Sequence, residues 1–99
     1  MDSLSAELQA FLVQMGQNPG CVSERTTHYM KHLLQLLTDA DQQIFKQYYG
    51  LFGHEVVTLA DIAYHHGVPE DTMQHIIEAN LRRLAVTPEW QMIKQFTKK

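Results

Sequence analysis

Residues 58–84 read TLADIAYHHGVPEDTMQHIIEANLRRL, and the fold turns on them. Thr58 followed by Asp61 has the spacing of a helix start. A Thr side chain there accepts a bond from a first-turn N–H, and an early acid suits the helix dipole. Leu59, Ile62 and Ala63 then share one helical face. Gly67 breaks this short helix, and Pro69 sits where the next begins, its fixed φ being tolerated there. The second helix carries Met73, Ile76, Ile77, Leu81 and Leu84 at helical spacing. Two helices crossing through a tight turn need a small residue at the crossing and a residue tolerant of positive φ in the turn. Ala63 and Gly67 fill those places. Ile62, Val68, Met73 and Ile76 close a miniature core, while His66 stands where an apolar residue is usual. This is the grammar of a helix-turn-helix, whose second helix lies in the DNA major groove. The charge is wrong for that task, because Glu70 and Asp71 stand where a DNA reader would carry Arg or Lys.

The flanking sequence is helical too, with no period-2 alternation bounded by hairpin signals. A first helix is expected from about Leu4 to Met15, with Leu4, Leu8, Phe11, Leu12 and Met15 on one apolar face. Gly16 is expected to end it, with Asn18-Pro19-Gly20 as a turn. Ser23 is a natural N-cap for a second helix carrying Met30, Leu33, Leu34 and Leu37, with Tyr29 beside that stripe. Thr38 and Asp41 open a third helix with the same Thr-x-x-Asp start, placing Ile44, Phe45, Tyr48 and Tyr49 inside. Gly50 stops it, and Phe52-Gly53-His54 makes a loop. Thr87-Pro88-Glu89 starts a last helix with Trp90, Ile93 and Phe96 on one face. The expected architecture is an all-α small helical bundle. Residues 1–37 supply an N-terminal helical pair that extends the core, and residues 38–99 the helix-turn-helix domain. The apolar stripes of the N-terminal pair would equally suit a homodimer seam or a partner surface.

A chain of 99 residues makes one domain with a modest core. Its 44% hydrophobic and 19% charged fractions are ordinary for a globular protein. Cys21 is the single cysteine, so no intramolecular disulfide can form and a reducing compartment is the default. No secretory signal and no membrane-length apolar run is visible, so a cytoplasmic location is expected. Charge is unevenly spread. Between residues 38 and 81 seven acids (Asp39, Asp41, Glu55, Asp61, Glu70, Asp71, Glu78) face Lys46 alone. Beyond residue 81 five bases (Arg82, Arg83, Lys94, Lys98, Lys99) face Glu89 alone. A polyanion would be repelled over the middle and welcomed at the C-terminal end.

Residues 38–97 resemble region four of the sigma-70-type bacterial sigma factors. The resemblance runs through LTDADQQIFKQYYGL (37–51), TLADIAYHHGV (58–68) and LRRL (81–84), and the tail VTPEWQMIKQF (86–96) is similar to the segment that follows the region in primary sigma factors. It implies a region-four fold, a promoter element read by the last long helix, and docking on the flap of the RNA polymerase β subunit. Thr58 and Leu59 match the family's helix start, whose backbone N–H groups approach a DNA phosphate. The contacting positions fall on Glu70, Asp71, Thr72, Gln74, His75 and Ala79, where the family favours Arg at several. Arg82 and Arg83 are placed to meet a phosphate or an acidic partner, or simply to complement their helix dipole. The docking property points to Tyr48, Tyr49, Leu51, Phe52 and the face led by Trp90, with Phe52 expected to be the exposed anchor.

Magnitudes weigh against ordinary promoter binding. A specific base contact contributes about 1–3 kcal/mol, commonly through Arg on guanine. Phosphate neutralisation supplies much of the rest and requires cations. Two carboxylates remove the attraction and add repulsion, while Gln74 and His75 retain some capacity to bond base edges. A preceding sigma domain does not fit into residues 1–37, so a complete initiation factor is not expected. The expectation is therefore a regulator binding DNA, RNA polymerase or another transcription protein, or alternatively an interaction module that mimics region four without binding DNA. His28 and His32 have a spacing that can bind a metal, but no Cys/His/carboxylate set completes a shell in sequence, so neither metal nor other cofactor is expected. No nucleophile motif, phosphate loop or paired catalytic carboxylates is present, so enzyme is the least expected class.

Overall fold

With one exception, the described helices begin at a residue whose side chain accepts a bond from an orphan N–H of the first turn. A computed structural model describes residues 2–18, 20 and 22–97, the side chains of residues 96 and 97 excepted. Pro19, Cys21, Lys98, Lys99 and the Phe96 side chain, which figure in the reading above, lie outside the described residues. Among the described residues six helices follow one another: α1 (Ser3–Gln17), α2 (Glu24–Leu34), α3 (Asp39–Tyr49), α4 (Leu59–His65), α5 (Glu70–Ala85) and α6 (Pro88–Thr97). No strand occurs among the described residues. The protein is an all-α bundle.

The caps are local and regular. Thr38 Oγ1 accepts from the Asp41 N–H and Thr58 Oγ1 from the Asp61 N–H, each at 3.2 Å. Ser23 does the same for Thr26 at 3.1 Å. Thr87 accepts from the Trp90 N–H at 3.2 Å and donates to the Leu84 carbonyl at 2.7 Å, tying α6 to the end of α5. Asp2, unremarked in the sequence, caps α1 by accepting from the Ser5 N–H at 2.8 Å. Pro69 is the N-cap residue of α5 rather than its first helical residue, and it offers no side-chain bond.

The N-terminal helices belong to the same core as the rest. Leu8, Leu12 and Met15 of α1 and Met30, Leu33 and Leu34 of α2 join one cluster with Ile44, Phe45, Met73, Ile77, Leu81, Leu84, Trp90 and Ile93. Helix α1 lies chiefly on α5, and α2 chiefly on α6, so the chain's two ends are interleaved. Burying a large aliphatic side chain contributes about 1.5–3 kcal/mol, so the α1 stripe is a substantial share of the fold. Lys94 of α6 reaches back to Glu7 of α1 at 2.8 Å, closing the bundle at its rim. The Cα radius of gyration, 13.0 Å, is that of a closed single domain of this length.

Several local expectations are corrected. Gly16 does not end α1; it lies inside the helix, where a β-carbon would collide with the Tyr49 carbonyl. Its function is close approach of α1 to the end of α3. Leu4 is exposed, because the α1 stripe meets the core only from Ser5 onward. Ile76 and Tyr48 are half-buried at the border of the core.

Candidate functional site

The α4–α5 corner is built from the chain outward. Ala63 is buried where α5 packs on α4, and its carbonyl accepts from the Val68 N–H at 3.0 Å. The Gly67 N–H bonds to the Tyr64 carbonyl at 3.1 Å. Gly67 holds φ +69°, with open space around the position of a β-carbon. The requirement for glycine is therefore conformational and owes nothing to crowding.

On α5 the period of 3.6 divides the side chains sharply. Met73, Ile77, Asn80, Leu81 and Leu84 face the core, while Glu70, Asp71, Thr72, His75, Ala79, Arg82 and Arg83 are exposed. Gln74 is half-buried. Steps of three and four link Thr72, His75, Ala79 and Arg82 into one outer stripe, about 15 Å long at the helical rise. That stripe begins beside two carboxylates and ends at two guanidinium groups. The polarity matches the α5 dipole, so the charges stabilise their own helix whatever else they meet.

Thr58 is exposed, with its hydroxyl engaged as the α4 cap, and Leu59 is half-buried against the core. Arg82 leans toward Asp2, Nε to Oδ2 3.7 Å, a loose pair with both side chains largely in solvent. The Asp2 carboxyl is held below its ordinary range chiefly by the backbone and side-chain hydrogen bonds from Ser5, with Arg82 adding less.

The docking residues divide differently from the expectation. Trp90 is 1% exposed and Tyr49 5%, so neither offers its ring to a partner. Trp90 meets the edge of Phe11 at 5.6 Å, because α6 folds back over α1 and α2 instead of trailing into solvent. Its Nε1–H is buried without an acceptor among the described residues, a cost that the burial of the large indole outweighs. Tyr49 packs against Phe45 at 5.6 Å and donates from its hydroxyl to Gln9 Oε1 at 3.1 Å; burial pushes its phenol above the ordinary range. Leu51 is fully buried. Phe52 is half-buried against the core with Lys31 Nζ 5.3 Å from its ring centre, not the free anchor expected. Its φ of +54° is uncommon for a side chain of that size, and packing holds it there. Tyr48 keeps part of its ring accessible.

Exposed apolar side chains lie elsewhere: Tyr64 at 82%, Val56 at 69%, Val86 at 59% and Met92 at 55%. Tyr64 flanks the candidate corner itself, its ring 5.9 Å from that of His65. Its place was legible, since residue 64 falls off the stripe formed by 59, 62 and 63. No set of three or more His, Cys, Asp or Glu side chains is grouped to hold a metal among the described residues. No helix among them is long and apolar enough to cross a membrane. In comparisons with known proteins, no family model, no curated protein and no solved structure matches this chain.

Proposed function

We propose that the chain is a transcription regulator of the sigma region-four type, acting through protein contact with at most weak contact to DNA. The observation that supports this reading is the α4–α5 corner. Ala63, Gly67 and the Thr58 cap stand in the register in which the sequence resembles region four, and α5 turns Thr72, His75 and Ala79 outward. Those are the positions from which a second helix would address a groove. The exposed Tyr64 and half-exposed Tyr48 supply aromatic surface of the kind that protein interfaces favour. RNA polymerase, through its β flap, is the partner that the resemblance implies.

A second reading draws on Glu70 and Asp71, both exposed at the start of α5. They repel a phosphate backbone, which favours a module that imitates region four toward a protein and leaves DNA alone. Fluorescence anisotropy with duplex DNA over a salt series separates the two. A DNA-contacting regulator shows affinity that falls steeply with salt, because binding releases counterions. Absence of binding at low salt removes the DNA component and leaves the mimic. In the regulator, Glu70→Arg with Asp71→Arg should strengthen DNA binding by about tenfold or more at low salt. No gain would mean that α5 does not fit the groove.

A further inference from the structure

One pair of side chains outside the α4–α5 corner brings two imidazole nitrogens to within the bite of a single ion. His28 and His32 lie one turn apart on the exposed face of α2, with their Nε2 atoms 3.1 Å apart and their ring centres 4.5 Å apart. Two neutral rings hold this contact only if one carries its proton on Nε2 and the other presents a lone pair there. The separation is also the bite of two imidazoles on one ion. With metal–nitrogen bonds of about 2.05 Å, a 3.1 Å bite corresponds to an N–M–N angle of about 98°. That angle lies between the octahedral and tetrahedral values.

We infer that His28 and His32 form a two-histidine site for a divalent transition-metal ion of the zinc, copper or nickel class. The donor ring moves its Nε2 proton to its own Nδ1, leaving a lone pair on each Nε2, and small rotations of the exposed rings turn both toward the ion. The remaining coordination positions fall to water or to a carboxylate from another molecule, since no third ligand is grouped with the pair among the described residues. The surroundings permit this. Glu24, one turn before His28, lines a depression of about 490 Å³ together with Val22, Thr27, His28 and Lys31, while His32 lies outside that lining; a carboxylate on the same helix face as His28 favours a nearby cation. Lys31 opposes it, but its ammonium is drawn over the Phe52 ring. Imidazole selects the transition metals over calcium and magnesium. A bound ion would clip one turn of α2 to the next, and α2 seats α6, so metal binding and fold stability should rise together.

The test uses the whole chain and Zn²⁺ alone. Isothermal titration should give one saturable site. His28→Ala and His32→Ala should each weaken it about tenfold or more, because the second ligand of a chelate binds at high effective concentration. His65→Ala with His66→Ala, removing the two histidines adjacent in sequence, should leave the affinity unchanged. Zn²⁺ should raise the melting temperature of the unaltered chain and of that control, and not of either α2 variant. In the unaltered chain, the ring resonances of His28 and His32 should shift together. Binding that survives loss of both α2 histidines, binding lost only with His65 and His66, or no saturable binding would each overturn the site.

Discussion

The outer stripe of α5 and the apolar face of α6 carry residues of similar promise and meet different neighbours. Along α5, Asp71, Thr72, His75 and Ala79 look into solvent. On α6, Trp90 and Ile93 are enclosed by the core to which Phe11, Leu12 and Met30 also contribute. A polar side chain facing water loses little when a partner replaces that water, so the α5 stripe remains available for contact. An enclosed indole is already committed, because exposing it would forfeit the burial that seats α6. The difference separates residues that hold the fold from residues that can be spent on recognition.

The most severe way to break this contrast is Trp90→Ala. It should cost about 3–5 kcal/mol, read as a fall in the urea midpoint by circular dichroism. A loss below about 1 kcal/mol would mean that α6 is not seated as described. Gly16→Ala comes next, because a β-carbon there meets backbone of α3 that cannot rotate away. A loss of about 1–3 kcal/mol is expected in the same assay, although Ala is the better helix former in isolation. On the other side of the comparison, Thr72→Ala and His75→Ala should each stay within about 0.5 kcal/mol of the unaltered chain. A larger loss from either would make the α5 stripe structural and leave it a poor recognition surface.

The smallest effect sharpens how α1 is fixed beneath α5. The Asp2 carboxyl is held below its ordinary value of 3.8, so the folded state favours the charged form. Its contribution is therefore fully present above that value and lost as pH falls through the lower folded value. Asp2→Ala should lower the melting temperature slightly near neutrality, with the difference shrinking on acidification below 3.8. A difference that grows as the pH falls would contradict this assignment.

The parts of the fold legible in the sequence are those governed by short spacings. Thr38, Thr58, Ser23 and Thr87 announce their helices because a cap bond spans three residues and needs nothing from elsewhere. The α5 stripe follows from periodicity alone, as does the outward place of Tyr64. Of the candidate DNA positions, Thr72, His75, Arg82 and Arg83 are exposed, Thr58 is exposed but engaged as a cap, and Gln74 and Leu59 are half-buried. The aromatic anchors were less legible. Tyr49, Leu51 and Trp90 are apolar in any reading, and spacing cannot say whether an apolar face meets its own core or a partner.

The sequence by itself determined an all-α chain, the starts of its helices and which face of each is apolar, because these depend on contacts within about one turn. Only the tertiary structure decided that α1 crosses α3 at Gly16 and that α6 closes over Phe11. Those outcomes depend on which helices meet and how closely. Packing of residues far apart in the chain fixes that, and no local pattern encodes it.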